Sequence, residues 1–280
     1  MSVLICPANE VAQDDILSLL EKFYPVRSHW EKLFLKRHWG TENDIIGYVI
    51  CDNKNIVGYL GVILSPISLP TAKNNRICNI STWYVEPQYR QYSLFLLKKV
   101  LEMKGVTWTN LTPSASAYQL FLRYGFKPFA THQRVILPLP KLVCNSSIII
   151  NQDIIPHLDA VNKQIYLNHK GLNCIHVLLR GKHACCYLIL VKTQYKKLPV
   201  AKIYYVSNKE NFHSLFAQAY FRLCVQLKVC YLLVENFFLD KFPIPGSFVK
   251  KLEQPRLYKS DFLVADQISL LNSELMVLGI

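Results

Sequence analysis

Apolar and polar residues recur with two different periods along this chain, and the switches between them mark out its elements. Residues 14–24 place Ile16, Leu19 and Leu20 on one helical face. Ser28-His29-Trp30-Glu31 has the spacing of a capping box, which predicts a second helix from Ser28 to about His38. Two extended runs follow, 45–51 and 56–64, joined by the turn-rich Asp52-Asn53-Lys54-Asn55; together they predict a β-hairpin. A third extended run, 78–85, ends at Glu86-Pro87. There the period changes to about 3.6. Leu94, Leu97 and Leu101 share a face, so a helix is expected from about Gln88 to Lys104. Residues 106–111 read as a short strand. Ser114 reads as the cap of a helix carrying Ala117, Leu120, Phe121 and Tyr124 on one face, and Gly125 as its stop. Residues 134–137 read as a strand closed by Pro138 and Pro140.

The second half repeats this order. Residues 154–169 read as a helix, and 174–179 with 184–191 as a hairpin across the turn 180–183. Residues 200–207 read as a strand, and Ser207 with Glu210 has capping-box spacing. The helix that follows carries Phe212, Leu215, Phe216, Ala219 and Leu223 on one face, and 230–235 is the next strand. The recurrence of order and spacing suggests an internal duplication; a chance repeat of a common order gives the same pattern. It divides the chain into a domain at 1–138, a linker at 139–147 and a second domain at 148–280.

Hydrophobic residues make up 51% of the 280 positions, enough for a sizeable core. No apolar run reaches the ~18–20 residues of a membrane span. The opening MSVLICPANE lacks a basic region followed by a long apolar stretch, so the expected location is cytoplasmic, with no membrane partner. The formal charge of +13 favours an anionic ligand. Its basic residues are dispersed, with doublets such as Lys98-Lys99, Lys196-Lys197 and Lys250-Lys251 and no basic arm. Nucleic-acid binding would rest on charge alone, and no nucleic-acid partner is expected. The nine cysteines include no Cys-x-x-Cys pair; free thiols in a reducing compartment are expected, against a metal site or catalytic thiol. In a strand, Cys185 and Cys186 would face opposite ways. No Walker loop, Gly-x-Ser-x-Gly elbow, His-Glu-x-x-His motif or zinc-spaced cysteine set is present, and no metal is expected. Asn145-Ser146-Ser147 matches a glycosylation pattern but reads as linker.

The informative stretch is Trp83-Tyr84-Val85-Glu86-Pro87-Gln88-Tyr89-Arg90-Gln91-Tyr92-Ser93-Leu94. A strand, a tight loop and a helix start present free backbone N–H groups at a positive helix end, which suits a pyrophosphate, and Arg90 adds a fixed charge. About 30 residues on comes Ala117-x-x-Leu120-Phe121-x-x-x-Gly125-Phe126.

Together these stretches resemble the GNAT superfamily of acyl-CoA N-acyltransferases. In that family a Val-x-Pro-x-x-Arg strand end, here Val85 to Arg90, leads into the loop that holds the CoA pyrophosphate. A later Ala-x-x-Leu-Tyr-x-x-x-Gly-Phe helix packs beside the pantetheine arm. The resemblance covers roughly residues 1–138. WYVEPQYRQYSLFLLK and the C-terminal LNSELMVL are similar to a group of bacterial tandem-GNAT proteins. The resemblance implies an α/β (α+β) fold of two tandem GNAT-like domains, each a central mixed twisted sheet flanked by helices. It implies acyl transfer from acetyl-CoA or another acyl-CoA to an amine of a small molecule or amino sugar by direct attack. The alternative is a GNAT-fold binding or scaffold protein without catalysis.

Carried over by position, the cofactor contacts are Trp83, Tyr84 and Val85 for pantetheine, and Arg90, Gln91, Tyr92, Ser93, Leu94 and Phe95 for pyrophosphate. Ser114, Ala117 and Phe121 join them from the later helix. The family's loop glycines align with Gln91, Ser93 and Phe95, and its tyrosine acid with Phe121, which has no proton to give; Tyr118 and Tyr124, three residues either side, are the candidate acids in its place, and their other reading is partly buried aromatic packing. The resemblance leaves Glu86, His29 and His38 as candidates for the base. Tyr24, Arg27, His29 and Trp30 are candidate acceptor contacts. The second half has Asn208-Lys209-Glu210-Asn211 after its strand, with no equivalent anion loop.

Overall fold

In the computed structural model the first hairpin forms as the pattern predicts: β2 (Gly47–Asp52) pairs antiparallel with β3 (Asn55–Pro66). The structure describes residues 3–35, 38–53, 55–67, 75–140, 146–239 and 242–280, so Lys54 of the turn lies outside the described residues. β1 (Val3–Pro7), too short to show a period, pairs antiparallel with β2. β4 (Arg76–Val85) is antiparallel to β3, and β5 (Val106–Asn110) is parallel to β4. Ten consecutive residues of β3 are buried, as in a strand covered on both faces.

The covering helices explain this. α3 (Ser93–Leu101) and α4 (Ala115–Arg123) bring Leu96, Leu97, Val100 and Phe121 against Ile50, Leu60, Cys78 and Ile80 on one face. On the other face, α1 (Gln13–Phe23) and α2 (Arg27–Trp30) bring Leu17, Leu20 and Trp30 against Val49, Tyr59 and Ile63. Alternation along the strands sends Leu60 to the first core and Tyr59 to the second.

The chain divides into two compact units that are discontinuous in sequence. The first consists of residues 1–127, 256–268 and 272–278; the second of 128–255, 269–271 and 279–280. In the first unit, β1 to β5 stand in sequence order, and the end of β12 (Ser247–Lys259) closes the row: Leu257–Lys259 pair antiparallel with Asn110–Trp108 of β5.

The second unit contains β6 (Lys127–Ile136), β7 (Ser147–Ile150), β8 (Ile175–Arg180), β9 (Cys185–Tyr195), β10 (Leu198–Val206) and β11 (Tyr231–Glu235). Its row runs β7-β8-β9-β10-β11-β6, with β10 and β11 parallel and β6 antiparallel to β11. Each unit is thus a mixed sheet built on the same strand succession, carrying α5 (Ala160–His169), α6 (Lys209–Leu227) and α7 (Asn236–Leu239) in the second. A single cut near 139–147 does not describe these units. Each parallel pair leaves an edge that needs an antiparallel partner, and a strand distant in sequence supplies it. Of the linker segment, 141–145, including Cys144 and Asn145, lie outside the described residues.

Several elements depart from the local pattern. The strand expected at 134–137 is the end of β6, which already begins at Lys127. The second helix starts at Arg27 after Val26, without a side-chain cap, and passes into a π-helical turn at Glu31–Leu35. The helix expected from Gln88 begins as a 3₁₀ turn, Pro87–Tyr92, and becomes α-helical only at Ser93. Residues 154–169 are a 3₁₀ segment, Asn151–His157, followed by α5, which Asp159 caps. Asn208, not Ser207, caps α6 by accepting from the Asn211 N–H at 2.8 Å. Ser114 does cap α4, accepting from the Ala117 N–H at 3.3 Å.

Gly47 sits at φ 149°, and a Cβ there would overlap the Leu60 carbonyl oxygen. Gly47→Ala is therefore expected to lower the unfolding free energy by about 1–3 kcal/mol in a denaturant titration. At Gly171 an added methyl meets nothing within 4 Å, and Gly171→Ala should stay within about 0.5 kcal/mol of wild type.

Candidate functional site

β4 and β5 pair in parallel from Arg76↔Val106 to Asn79↔Thr109 and then part. β5 ends at Asn110, while β4 continues through Val85. The register of β4 against β3 shifts between Leu60 and Val62, the mark of a bulge that re-aims the strand. Past Asn79, β4 makes no pair with β5 among the described residues. Trp83 Nε1 and Asn110 Oδ1, one on each parting strand, are buried with no hydrogen-bond partner among the described residues. Leaving such a group unpaired costs about 1–3 kcal/mol, so each marks a place where a polar ligand atom would be stabilising.

At the far end of β4, Glu86 N–H donates to the Val57 carbonyl at 2.9 Å, and Tyr89 Oη donates to Asp52 at 2.6 Å. These bonds pin the 3₁₀ turn to the sheet. Arg90 and Gln91 are exposed, and Tyr92 and Ser93 half-buried. Ser93 N–H is already given to the Arg90 carbonyl, so it is not among the open donors. Phe95 is 47% exposed with Lys98 Nζ 5.5 Å from its ring centre, and Leu94 is also exposed. Phe95 therefore turns away from the core and brings a cation beside the turn.

On α4, Phe121 is 0% exposed, edge-on to Phe126 at 4.7 Å and to Trp83 at 6.1 Å. It supports Trp83 from within the core. Ala117 and Tyr118 are half-buried, as is Tyr124, whose carbonyl accepts from Lys259 Nζ at 2.9 Å.

The candidate acceptor residues fall into two groups. Tyr24 and His29 face outward with rings 5.2 Å apart, next to exposed Phe23, which stacks on Tyr84 at 5.2 Å. Burial and Lys32 lower the His29 pKa, so the imidazole is neutral at pH 7. Trp30 is buried and donates Nε1–H to the Tyr24 carbonyl at 2.9 Å; it holds the turn. Arg27 is committed to Asp14, to Glu21 at 3.7 Å and to Glu31 at 3.1 Å. Glu86 accepts from Lys22 Nζ at 2.8 Å and from Gln88 Nε2 at 2.9 Å. His38 Nε2 lies 2.7 Å from the Lys32 carbonyl.

A polar chain that local periodicity does not reveal crosses the rung where the strands part. Thr109 Oγ1 donates to Asn79 Oδ1 at 3.0 Å, which turns the Asn79 amide so that Nδ2 donates to Glu274 Oε2. Glu274 Oε1 accepts from Thr112 Oγ1 at 2.7 Å. Glu274 opens α8 (Glu274–Leu278) and is 2% exposed. Burial raises its pKa, opposed by the Thr112 and Asn79 hydrogen bonds and the charge of Arg256. Arg256 donates Nη1–H to the Leu111 carbonyl at 2.8 Å. LNSELMVL was the one sequence signal at Glu274.

In the second unit, β10 and β11 pair as far as Ile203↔Val234. The covered face holds a closed polar cluster: His176 Nδ1 lies 2.6 Å from Tyr187 Oη, and Tyr205 Oη donates to Asn162 at 2.9 Å. Burial lowers the His176 pKa to about 4, so the ring is neutral at pH 7. Among the described residues, the cysteines are free and no group of three His, Cys, Asp or Glu could hold a metal ion. Cys185 is exposed and Cys186 buried, as strand alternation requires. No helix of the described residues is long and apolar enough to cross a membrane.

No family model matches this chain, and no curated protein matches it. Solved structures do. A GCN5-related N-acetyltransferase from Anabaena variabilis superposes with a TM-score of 0.60 at 10% identity, covering 92% of this chain and 72% of that one. A protein of Enterococcus faecalis described as a probable N-acyltransferase gives 0.59 at 13% identity, with the same coverages. A tandem GNAT protein from the clavulanic acid biosynthesis pathway gives 0.50 at 12% identity, covering 92% of this chain and 98% of that one. The strand succession, the parting of β4 from β5 and these superpositions give the chain the fold of the GNAT N-acetyltransferases, present in two copies.

Proposed function

We propose that the first unit is an acyl-CoA-dependent N-acyltransferase. The observation that carries this reading is the gap between β4 and β5, with a buried unpaired donor on one strand and a buried unpaired acceptor on the other. An extended acyl-pantetheine arm alternates apolar carbons with amides. It can meet free strand backbone, Trp83 Nε1 and Asn110 Oδ1 while excluding water. The pyrophosphate would lie over the 3₁₀ turn, against Arg90 with Lys98 nearby. Trp83, Tyr84 and Val85 would line the arm, and Ser114 and Ala117 would flank it from α4. Phe121 acts by positioning Trp83.

The acceptor is an amine of a small molecule or amino sugar, entering past Phe23, Tyr24 and His29. Its nitrogen attacks the thioester carbonyl carbon directly. The C–N bond forms, the C–S bond breaks, and CoA leaves as thiolate. The same fold without catalysis is the second reading, and the missing hydroxyl at Phe121 is what favours it. The second unit lacks an arginine in its Asn208–Asn211 turn and is assigned no CoA site.

Calorimetric titration of CoA should give saturable binding to the full chain, and Arg90→Ala should lose about 1–3 kcal/mol of it, the range for a hydrogen bond to a charged group. No heat at about millimolar CoA with folded protein would reject the acyl-CoA reading. Phe121→Tyr places a hydroxyl in a closed core rather than at the reacting sulfur. It should lower stability by about 1–3 kcal/mol without raising turnover, measured as thiol release from acetyl-CoA.

A further inference from the structure

The described first unit offers no open carboxylate at the end of β4, because both Glu86 oxygens already accept hydrogen bonds. Glu274 stands elsewhere and fits the task better. Its carboxylate lies against Asn79, on the last rung before β4 and β5 separate. An arm occupying that gap ends near this rung. α8 also carries Val277 into the core that contains α1 and Trp30, so Glu274 is on the face that bears Tyr24 and His29. The carboxylate itself is covered, but Thr112, which donates to Oε1 at 2.7 Å, is exposed. Thr112 therefore stands between the buried carboxylate and the surface. A purely structural clamp would not require its outer residue to be exposed.

We propose that Glu274 is the proton acceptor of the acyl transfer, reached through the Thr112 hydroxyl. This rests on the acyltransferase reading above. As the amine nitrogen bonds to the thioester carbon, it gives a proton to Thr112 Oγ1, which passes its own proton to Glu274 Oε1. The C–S bond then breaks with its electron pair on sulfur, and the proton on Glu274 returns through Thr112 to the thiolate or to water. Asn79 Nδ2, oriented by Thr109, holds the other oxygen in place. The charged group acting on the carboxylate is Arg256, on β12, which favours the ionised form, while burial favours the protonated form. The balance raises its proton affinity, as a base for an amine requires.

The test uses the full chain with acetyl-CoA. Glu274 must be ionised to accept the amine's proton, so its charge should govern the pH dependence of kcat at saturating glucosamine, read between about pH 5 and 9. Wild type should lose kcat on the acid side, and Glu274→Gln should bind acetyl-CoA with similar affinity and lack that acid limb. With glucosamine as the probe amine, Glu274→Gln and Thr112→Val should each lower turnover by about 10²–10⁴-fold at unchanged KM for acetyl-CoA, with Thr112→Ser retaining turnover. An acid limb of kcat that persists unchanged in Glu274→Gln, or full turnover in either disabled variant, overturns the proposal and leaves the acyltransferase reading standing. Failure of wild type to bind acetyl-CoA overturns both.

Discussion

The first unit depends on where β4 and β5 stop pairing. Parallel strands that separate expose backbone groups, and in a buried sheet that is costly unless something fills the gap. Here the last rung, Asn79↔Thr109, is fixed from the side by a hydrogen-bonded chain running Thr109, Asn79, Glu274, Thr112. Beyond it the bulge in β4 carries Trp83 toward Phe121 and Tyr84 toward Phe23. The two faces of one strand thereby serve two surfaces: the gap on one side and an exposed aromatic cluster on the other.

That arrangement is assembled from distant parts of the chain. The Asn79–Glu274 bond spans 195 residues and the Thr112–Glu274 bond 162. Leu257–Lys259 complete the β5 edge from a comparable separation. Loop closure of this length costs only a few kcal/mol more than a short loop, because the entropy grows with the logarithm of length. Burying Leu257 and Val277, with Arg256 and Glu274 each hydrogen-bonded, can offset it. The first unit is therefore incomplete without the C-terminal segments, and the site inherits that dependence.

The candidate acceptor residues divide between those held by internal bonds and those left open, in a way that side-chain type alone does not reveal. Arg27 and Trp30 belong to the scaffold: one is saturated by three carboxylates, the other is a buried prop for the Tyr24 carbonyl. Tyr24, His29 and Phe23 remain open to a ligand. Phe95, standing where a loop glycine would permit close approach of phosphate, faces solvent and leaves the core side of the turn free. Tyr89, bonded to Asp52, takes over the task of fixing the turn.

Much of the architecture was legible locally. The period change at Pro87, the Ser114 cap and the Ala117–Phe121–Gly125 spacing located α3, α4 and the strands around them, because helix faces and caps are properties of neighbouring residues. The parallel recurrence in the second half likewise followed from order and spacing. Boundaries that depend on tertiary support were read less well: the 3₁₀ turn before α3 and the π-turn after α2 are held by packing rather than propensity. The sequence by itself thus determined two α/β halves and the strand-turn-helix at Arg90. Tertiary structure alone decided that each unit draws on separate stretches of the chain, that Phe121 is sealed in the core, and that Glu274 meets Asn79 and Thr112. Strand partners and buried hydrogen bonds are set by which surfaces exclude water together, and no local pattern encodes that.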